Sequence, residues 1–362
     1  MTRTTFICLC AIVLGLAAHA SAQSAQLAPT PDGGLRLIDQ LPLAADNRAP
    51  LLAQSRSPAP QPAPVRRRRG TFVGYIDDAL TQSNLRVRFD TASGNTAPDR
   101  AEFFYAKCGC YAGLPATHPG FDPEAPGPGP GAADDLNFQQ LYLEGEFEVT
   151  PQVSLLGQVP LRWLQPQSFI AGTGPAFDDQ GGLGDIRVGA KLAFVDTPTA
   201  VASVKVQFYL PTGSASKGLG TDHTSWEPAV LFWNELTPMV TLESQLGVWL
   251  PIGGANPVPT NADGHFAGRV FYYGIGPSFT VYDAGRTRVA PVVELVGWHV
   301  MGGNLTPTDL TNFDASGTNI VNLKVGVRLG AGNGSFYGGY GKALTDAVWY
   351  NDILRFEYRH SF

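Results

Sequence analysis

Charge is scarce in this chain, and what there is carries no basic excess. Charged residues make up 15% of the 362 positions, against roughly 25% in soluble globular domains. A soluble protein of this size needs more charge to cover its surface. A barrel with a lipid-facing outside needs less. The net charge of -6 argues against nucleic acid as a partner, because phosphate backbones demand a basic face. Histidine (6) and cysteine (4) are also few. Cys8 and Cys10 fall near the N-terminus. The remaining pair, Cys108 and Cys110, lacks the ligand spacing of a zinc site, so neither metal nor cofactor is expected. Beyond the N-terminus no run of about 18 apolar residues occurs, which excludes helical membrane spans. Gly-x-Ser-x-Gly and a phosphate-binding loop are missing. His223-Thr224-Ser225 and His299 are the sole candidates for nucleophile–base chemistry, and nothing in the sequence orients either. A non-enzyme is expected.

What is present at the N-terminus reads as a secretory signal over residues 1–22. Arg3 supplies the positive start, Phe6 to Ala18 the apolar core, and Ala20-Ser21-Ala22 the small-residue cleavage site. Its loss would remove Cys8 and Cys10. Residues 23–70 are rich in Pro, Ala, Gln and Ser and end in Arg66 to Arg69. Such a segment cannot bury a core and reads as a disordered periplasmic arm. The four arginines suit either plain solvation or anionic lipid heads. Residues 71–83 are ambiguous, and Tyr75 to Leu80 would fit a turn of helix leading into the first strand.

From residue 84 on the chain alternates. Leu85, Val87 and Phe89 interleave with Arg86, Arg88 and Asp90 in a first strand at about 84–91. Leu141, Leu143, Phe147 and Val149 interleave with Glu144, Glu146 and Glu148. A carboxylate at every second position is intolerable in lipid, so these glutamates face inward and set the phase. The last strand ends Arg355-Phe356-Glu357-Tyr358-Arg359-His360-Ser361-Phe362, with Arg355, Glu357 and Arg359 on the inside. Other strands run near 153–162, 183–194, 200–211, 225–235, 239–250, 266–281, 288–300, 319–329 and 335–344.

The connections are an independent test of these strands. After even-numbered strands they are tight, as at Thr150-Pro151-Gln152 and Ala331-Gly332-Asn333-Gly334. After odd-numbered ones they are long and rich in Gly, Pro, Asn and Asp: 92–137, 163–182, 212–224, 251–265 and 301–318. Short periplasmic turns opposite long external loops are the asymmetry of outer-membrane barrels. The expectation is all-β: a single-chain antiparallel transmembrane barrel over 71–362, of about 12 strands, with about 10 or 14 as neighbouring counts. Trp226, Trp233, Trp249, Tyr272 and Trp349 lie mostly toward strand ends, as aromatic belts would.

About 12 strands give a backbone diameter of roughly 24 Å and, after inward side chains, on the order of 10 Å of free width. Candidate lumen-lining residues are Arg86, Arg88, Glu144, Glu146, Glu148, Asp185, Arg187, Lys191, Glu294, Lys324, Arg328, Arg355, Glu357 and Arg359. A basic stripe on the first and last strands would face an acidic one on the second. Two readings stay open: a transverse field that selects polar solutes, or an ion-pair network that stiffens the seam. Cys108 and Cys110, in the first long loop, are a candidate disulfide in an oxidising compartment.

Three phrases bring a family into view: Gly182-Leu183-Gly184-Asp185 with Gly189 and Lys191, Tyr209-Leu210-Pro211-Thr212-Gly213, and Trp249-Leu250-Pro251-Ile252-Gly253. Over about 140–362 they resemble the outer-membrane barrels associated with meta-pathway phenol degradation, a family also described as transporters. The resemblance implies import of small, often hydrophobic or aromatic compounds. Phe362 resembles the terminal signal read by the barrel-assembly machinery. The physical reading is architectural, since Pro211 and Pro251 cannot donate to the ladder and end their strands. Outer-membrane lipid, the assembly machinery and small solutes are the expected partners, in a Gram-negative envelope. The functional expectation is passive passage of small molecules. The rival is a closed barrel whose loop 92–137 is a working surface.

Overall fold

The computed structural model describes residues 70–96, 133–252, 268–305 and 313–362, with a few isolated positions between 116 and 131. The signal segment, residues 23–69 of the arm, and Cys108 and Cys110 lie outside the described residues. Twelve antiparallel strands close into one ring. They are β1 (Asn84–Asn95), β2 (Ala133–Thr150), β3 (Val153–Phe169), β4 (Arg187–Asp196), β5 (Ala200–Tyr209) and β6 (Thr224–Thr237). The others are β7 (Val240–Ile252), β8 (Val270–Phe279), β9 (Thr287–Val300), β10 (Asn319–Ala331), β11 (Gly334–Ala343) and β12 (Asp352–Ser361). Each pairs with its sequence neighbours, and β1 closes on β12 from Asn84↔Ser361 to Ser93↔Asp352. Closure leaves no free edge, which is what a sheet in lipid requires.

Alternation decides which face each residue takes. Along β12, Leu354, Phe356 and Tyr358 are exposed while Arg355, Glu357 and Arg359 are buried. The same inversion recurs around the ring: Leu323, Val325, Val327 and Leu329 are exposed, Asn322, Lys324 and Arg328 buried. A soluble protein does the reverse. An apolar outside around a charged inside is the pattern of a barrel in the outer membrane.

The five tight turns fall after even-numbered strands, as the parity of the connections requires. Three strands outrun their sequence signal. β1 continues to Asn95, and β2 and β3 form a hairpin reaching from Ala133 to Phe169. The extension Gln165-Pro166-Gln167-Ser168 has no apolar alternation because it stands outside the bilayer, wet on both faces, with register shifts at Ala133 and Asp135. Above the join of β3 with β4, the wall is continued by a short strand, Gln180–Leu183, paired to β3. Gly189 is required where β4 meets β5, since a Cβ there would stand 2.4 Å from Val206 O.

Candidate functional site

Residues 71–83 are the feature that the sequence left ambiguous, and the structure corrects the helical option. They form no helix and bend at Gly74–Ile76. Their partners lie on strands all round the ring, which puts them inside the barrel. Seven backbone N–H groups donate to carboxyl or amide oxygens of the wall, Gln82 N among them, to Glu146 Oε1 at 3.4 Å. Phe72 N and Val73 N donate to Glu243 Oε1 at 2.8 and 3.4 Å. Gly74 N, Tyr75 N and Ile76 N donate to Glu294 at 3.1, 2.8 and 2.9 Å, and Asp77 N donates to Gln245 Oε1 at 2.7 Å.

The carbonyls are met in turn. Arg328 donates to Phe72 O (2.9 Å) and Val73 O (2.7 Å). Arg355 donates to Gly74 O, Lys191 to Asp78 O and Leu80 O, and Ser203 to Ala79 O. Two ion pairs add to this, Lys205–Asp77 at 2.5 Å and Arg359–Asp78 at 3.1 Å. Glu243 and Glu294 are completely buried, and a buried charge is tolerated only when paired and hydrogen-bonded. A helix would consume its own N–H groups and leave both carboxylates stranded. That is the physical reason for the extended form.

The segment is also seated by packing. Phe72, Val73 and Ile76 cluster with Ala290, Val292, Val296 and Tyr337. Ala79 and Leu80 cluster with Ala193, Val201, Leu231 and Trp233. Gly276 makes room for it, because a Cβ there would lie about 3.0 Å from both Ile76 and Val73. Most of these contacts sit toward the short-turn end of the barrel.

Toward the long-loop end the packing is of another kind. Leu136, Phe138, Leu164, Val300 and Ile320 from the strands meet Leu219, Ala315, Trp349 and Tyr350 from the loops in one apolar cluster. Against the inner segment, which contributes Tyr75, Asp77 and Asp78 to the lining, lies a cavity of about 320 Å³. Eight cationic and six carboxylate side chains line it, so the inside leans positive in an acidic chain.

Of the candidates drawn from sequence, Arg86, Arg88, Glu144, Glu146, Arg187, Lys191, Arg355 and Arg359 stand on this cavity. Arg86 and Arg88 both pair with Glu144, Lys191 pairs with Glu146, and Arg355 makes a two-pronged pair with Asp90, each at 2.7 Å. Glu294 and Arg328 hold the inner segment. Lys324 lies 3.7 Å above the Tyr75 ring, and Glu357 ties Arg328 to Arg359. Asp185 turns to the loop instead, accepting from Gly213 N and from Thr221 N and Oγ1. Glu148 is exposed at the rim. Phe362 is exposed, its N–H bonded to Ser83 O at 3.0 Å. His223 Nδ1 meets Thr221 O and His299 Nδ1 meets Asn319 Oδ1.

Sequence reasoning set Asp90 on the same face as Arg86 and Arg88 but left it off the candidates, and it missed Asp77, Asp78, Arg162, Lys205, Glu227 and Glu243. Asp90, Glu227 and Glu243 were within reach, since each occupies an inward place in an alternating strand. Asp77 and Asp78 were not, because nothing local says that a short polar segment turns into the lumen.

Many solved structures are similar to the chain, at low identity. The COG4313 outer membrane channel from Pseudomonas putida F1 is 14% identical, with 80% of this chain and 99% of that chain covered and a TM-score of 0.47. The β domain of the Bordetella autotransporter BrkA is 13% identical over 78% and 100%, with a TM-score of 0.45. The KdgM porin is 8% identical over 77% and 99%, with a TM-score of 0.37. No curated protein matches the chain. The chain is a twelve-stranded outer-membrane β-barrel, and over residues 137–280 it matches the family described as "Putative MetA-pathway of phenol degradation".

Proposed function

We propose that this barrel is a passive route for small solutes across the outer membrane, held shut by residues 71–83 in the conformation described. The observation that carries the reading is the charged, aromatic-lined cavity of about 320 Å³ against residues 71–83. A barrel that served only as a wall or a surface mount has no need of an internal chamber. The family matched at residues 137–280 supports small and often aromatic solutes. Conductance of the mature chain in a planar lipid bilayer tests this, after a heat-modifiable gel shift has shown that the barrel is folded. Stepwise, salt-dependent conductance is expected, with long closed intervals. A folded barrel that stays silent even after removal of the inner segment overturns it.

The closed-barrel rival is favoured by one observation, the many hydrogen bonds that the wall makes to residues 71–83. On that reading, deleting residues 112–134 abolishes surface binding and leaves permeability unchanged. Intact binding after the deletion overturns the rival.

A further inference from the structure

The charge on the cavity comes from two sources. All eight of its cationic side chains, among the described residues, stand on strands of the wall. Its carboxylates divide. Asp90, Glu144, Glu146 and Glu227 stand on the wall, whereas Asp77 and Asp78 belong to the inner segment. The ring by itself is therefore cationic, and the part of the counter-charge that is not built into the ring sits on one short stretch of chain.

Asp77 reaches Lys205 at 2.5 Å and keeps part of its side chain open to the cavity, and Asp78 reaches Arg359 at 3.1 Å. Neither cation depends on that partner. Lys205 also has Glu227 at 2.9 Å, and Arg359 also has Glu357 at 3.3 Å. The ring shares out its own carboxylates, Glu144 serving both Arg86 and Arg88 and Glu357 serving both Arg328 and Arg359. A buried charge stripped of every partner is strongly destabilising, and the departure of Asp77 and Asp78 strips neither Lys205 nor Arg359.

What that departure changes is the balance. The seat of the segment adds Arg328 and Lys324 on one side and Glu243, Glu294 and Glu357 on the other. Even with Asp185 counted, which turns to the loop, cations outnumber carboxylates around the emptied lumen. A charged lining in a low-dielectric wall concentrates ions of the opposite sign and sets which sign passes.

We infer that the open route selects small anions, and that Asp77 and Asp78 are the tethered counter-ions of the shut one. The inference deepens the solute-route reading by giving its solutes a charge, and rests on that reading.

Selectivity is read from the reversal potential of single-channel currents in a potassium chloride gradient, a quantity independent of how often the channel opens. Openings of the full-length mature chain are expected to pass chloride in preference to potassium. Gln207 and Gln245 line the cavity, and Gln207 Oε1 accepts from Lys205 at 3.2 Å. Glutamate has the shape of glutamine, so Gln207→Glu with Gln245→Glu fixes in the wall the two charges that the segment takes away. That variant is expected to lower the chloride-to-potassium permeability ratio severalfold. Asp77→Asn with Asp78→Asn is expected to open more often at an unchanged ratio, because both residues are out of the path when ions flow. Openings of the parent without a chloride preference overturn the inference. So does an unchanged ratio in the glutamate variant, or a changed one in the asparagine variant. If the paired glutamates prevent a heat-modifiable shift, Gln207→Glu alone is recorded, and an unchanged ratio there also overturns it. If the full chain is silent, the ratio is read on the barrel lacking residues 71–80. Silence there removes the solute route and the inference with it, whereas openings that prefer potassium remove the inference and leave the route.

Discussion

The two ends of the lumen are packed by opposite chemistry. At the short-turn end a single polypeptide segment is held by carboxylates, guanidiniums and lysines of the wall. Toward the long-loop end the packing is an apolar cluster that includes Trp349, Leu219 and Ile320. The hydrogen-bonded closure is directional and belongs to one segment. The apolar packing is non-directional and shared among several elements, so removing one member loosens it without dispersing it.

Breaking the first closure should have the largest effect. Glu243→Ala combined with Glu294→Ala strands five backbone N–H donors, each about 1–3 kcal/mol if left buried. The expected result is a severalfold rise in open probability in planar bilayers, and new protease cleavage between residues 70 and 83. A silent, protected double variant would mean that packing alone retains the segment. Gly276→Val attacks the same closure by crowding Ile76 and Val73, at about 1–3 kcal/mol for overpacking. It should raise open probability less than the double variant does.

The second closure should respond in stability rather than in current. Trp349→Ala removes a fully buried ring, at about 3–5 kcal/mol. The gel-shift temperature should fall while conductance stays near that of the parent. An open channel from this single change would show that the two ends are not independent. Between the ends, Glu144→Gln leaves Arg86 and Arg88 without their shared carboxylate and should shift reversal potential toward anions. Glu148→Gln, exposed at the rim, should change stability by less than about 0.5 kcal/mol and reversal potential hardly at all.

The contrast also explains what was legible. The wall could be read because period-two alternation is a local signal, and lipid punishes a misplaced charge. Glu144 and Arg355 announce their side by their neighbours alone. The β2–β3 extension past Gln165 escaped because water on both faces imposes no alternation. The inner segment escaped for a deeper reason. Thr71 to Leu80 carries no period and bonds to residues more than 100 positions away in the sequence, so nothing nearby marks its course. The inward charges on the first and last strands meet as pairs, Arg86 with Glu144 and Arg355 with Asp90.

The inner segment has a bearing on how the ring is made. It runs directly into β1, the strand that must find β12 to finish the circle. Its anchors include Glu294 on β9, Arg328 on β10 and Arg355 on β12, the strands that arrive last in the chain. Contacts of such long sequence separation form late and slowly in folding. The segment therefore bridges the first strand and the last ones from the inside, a second tie across the seam besides the β1–β12 ladder.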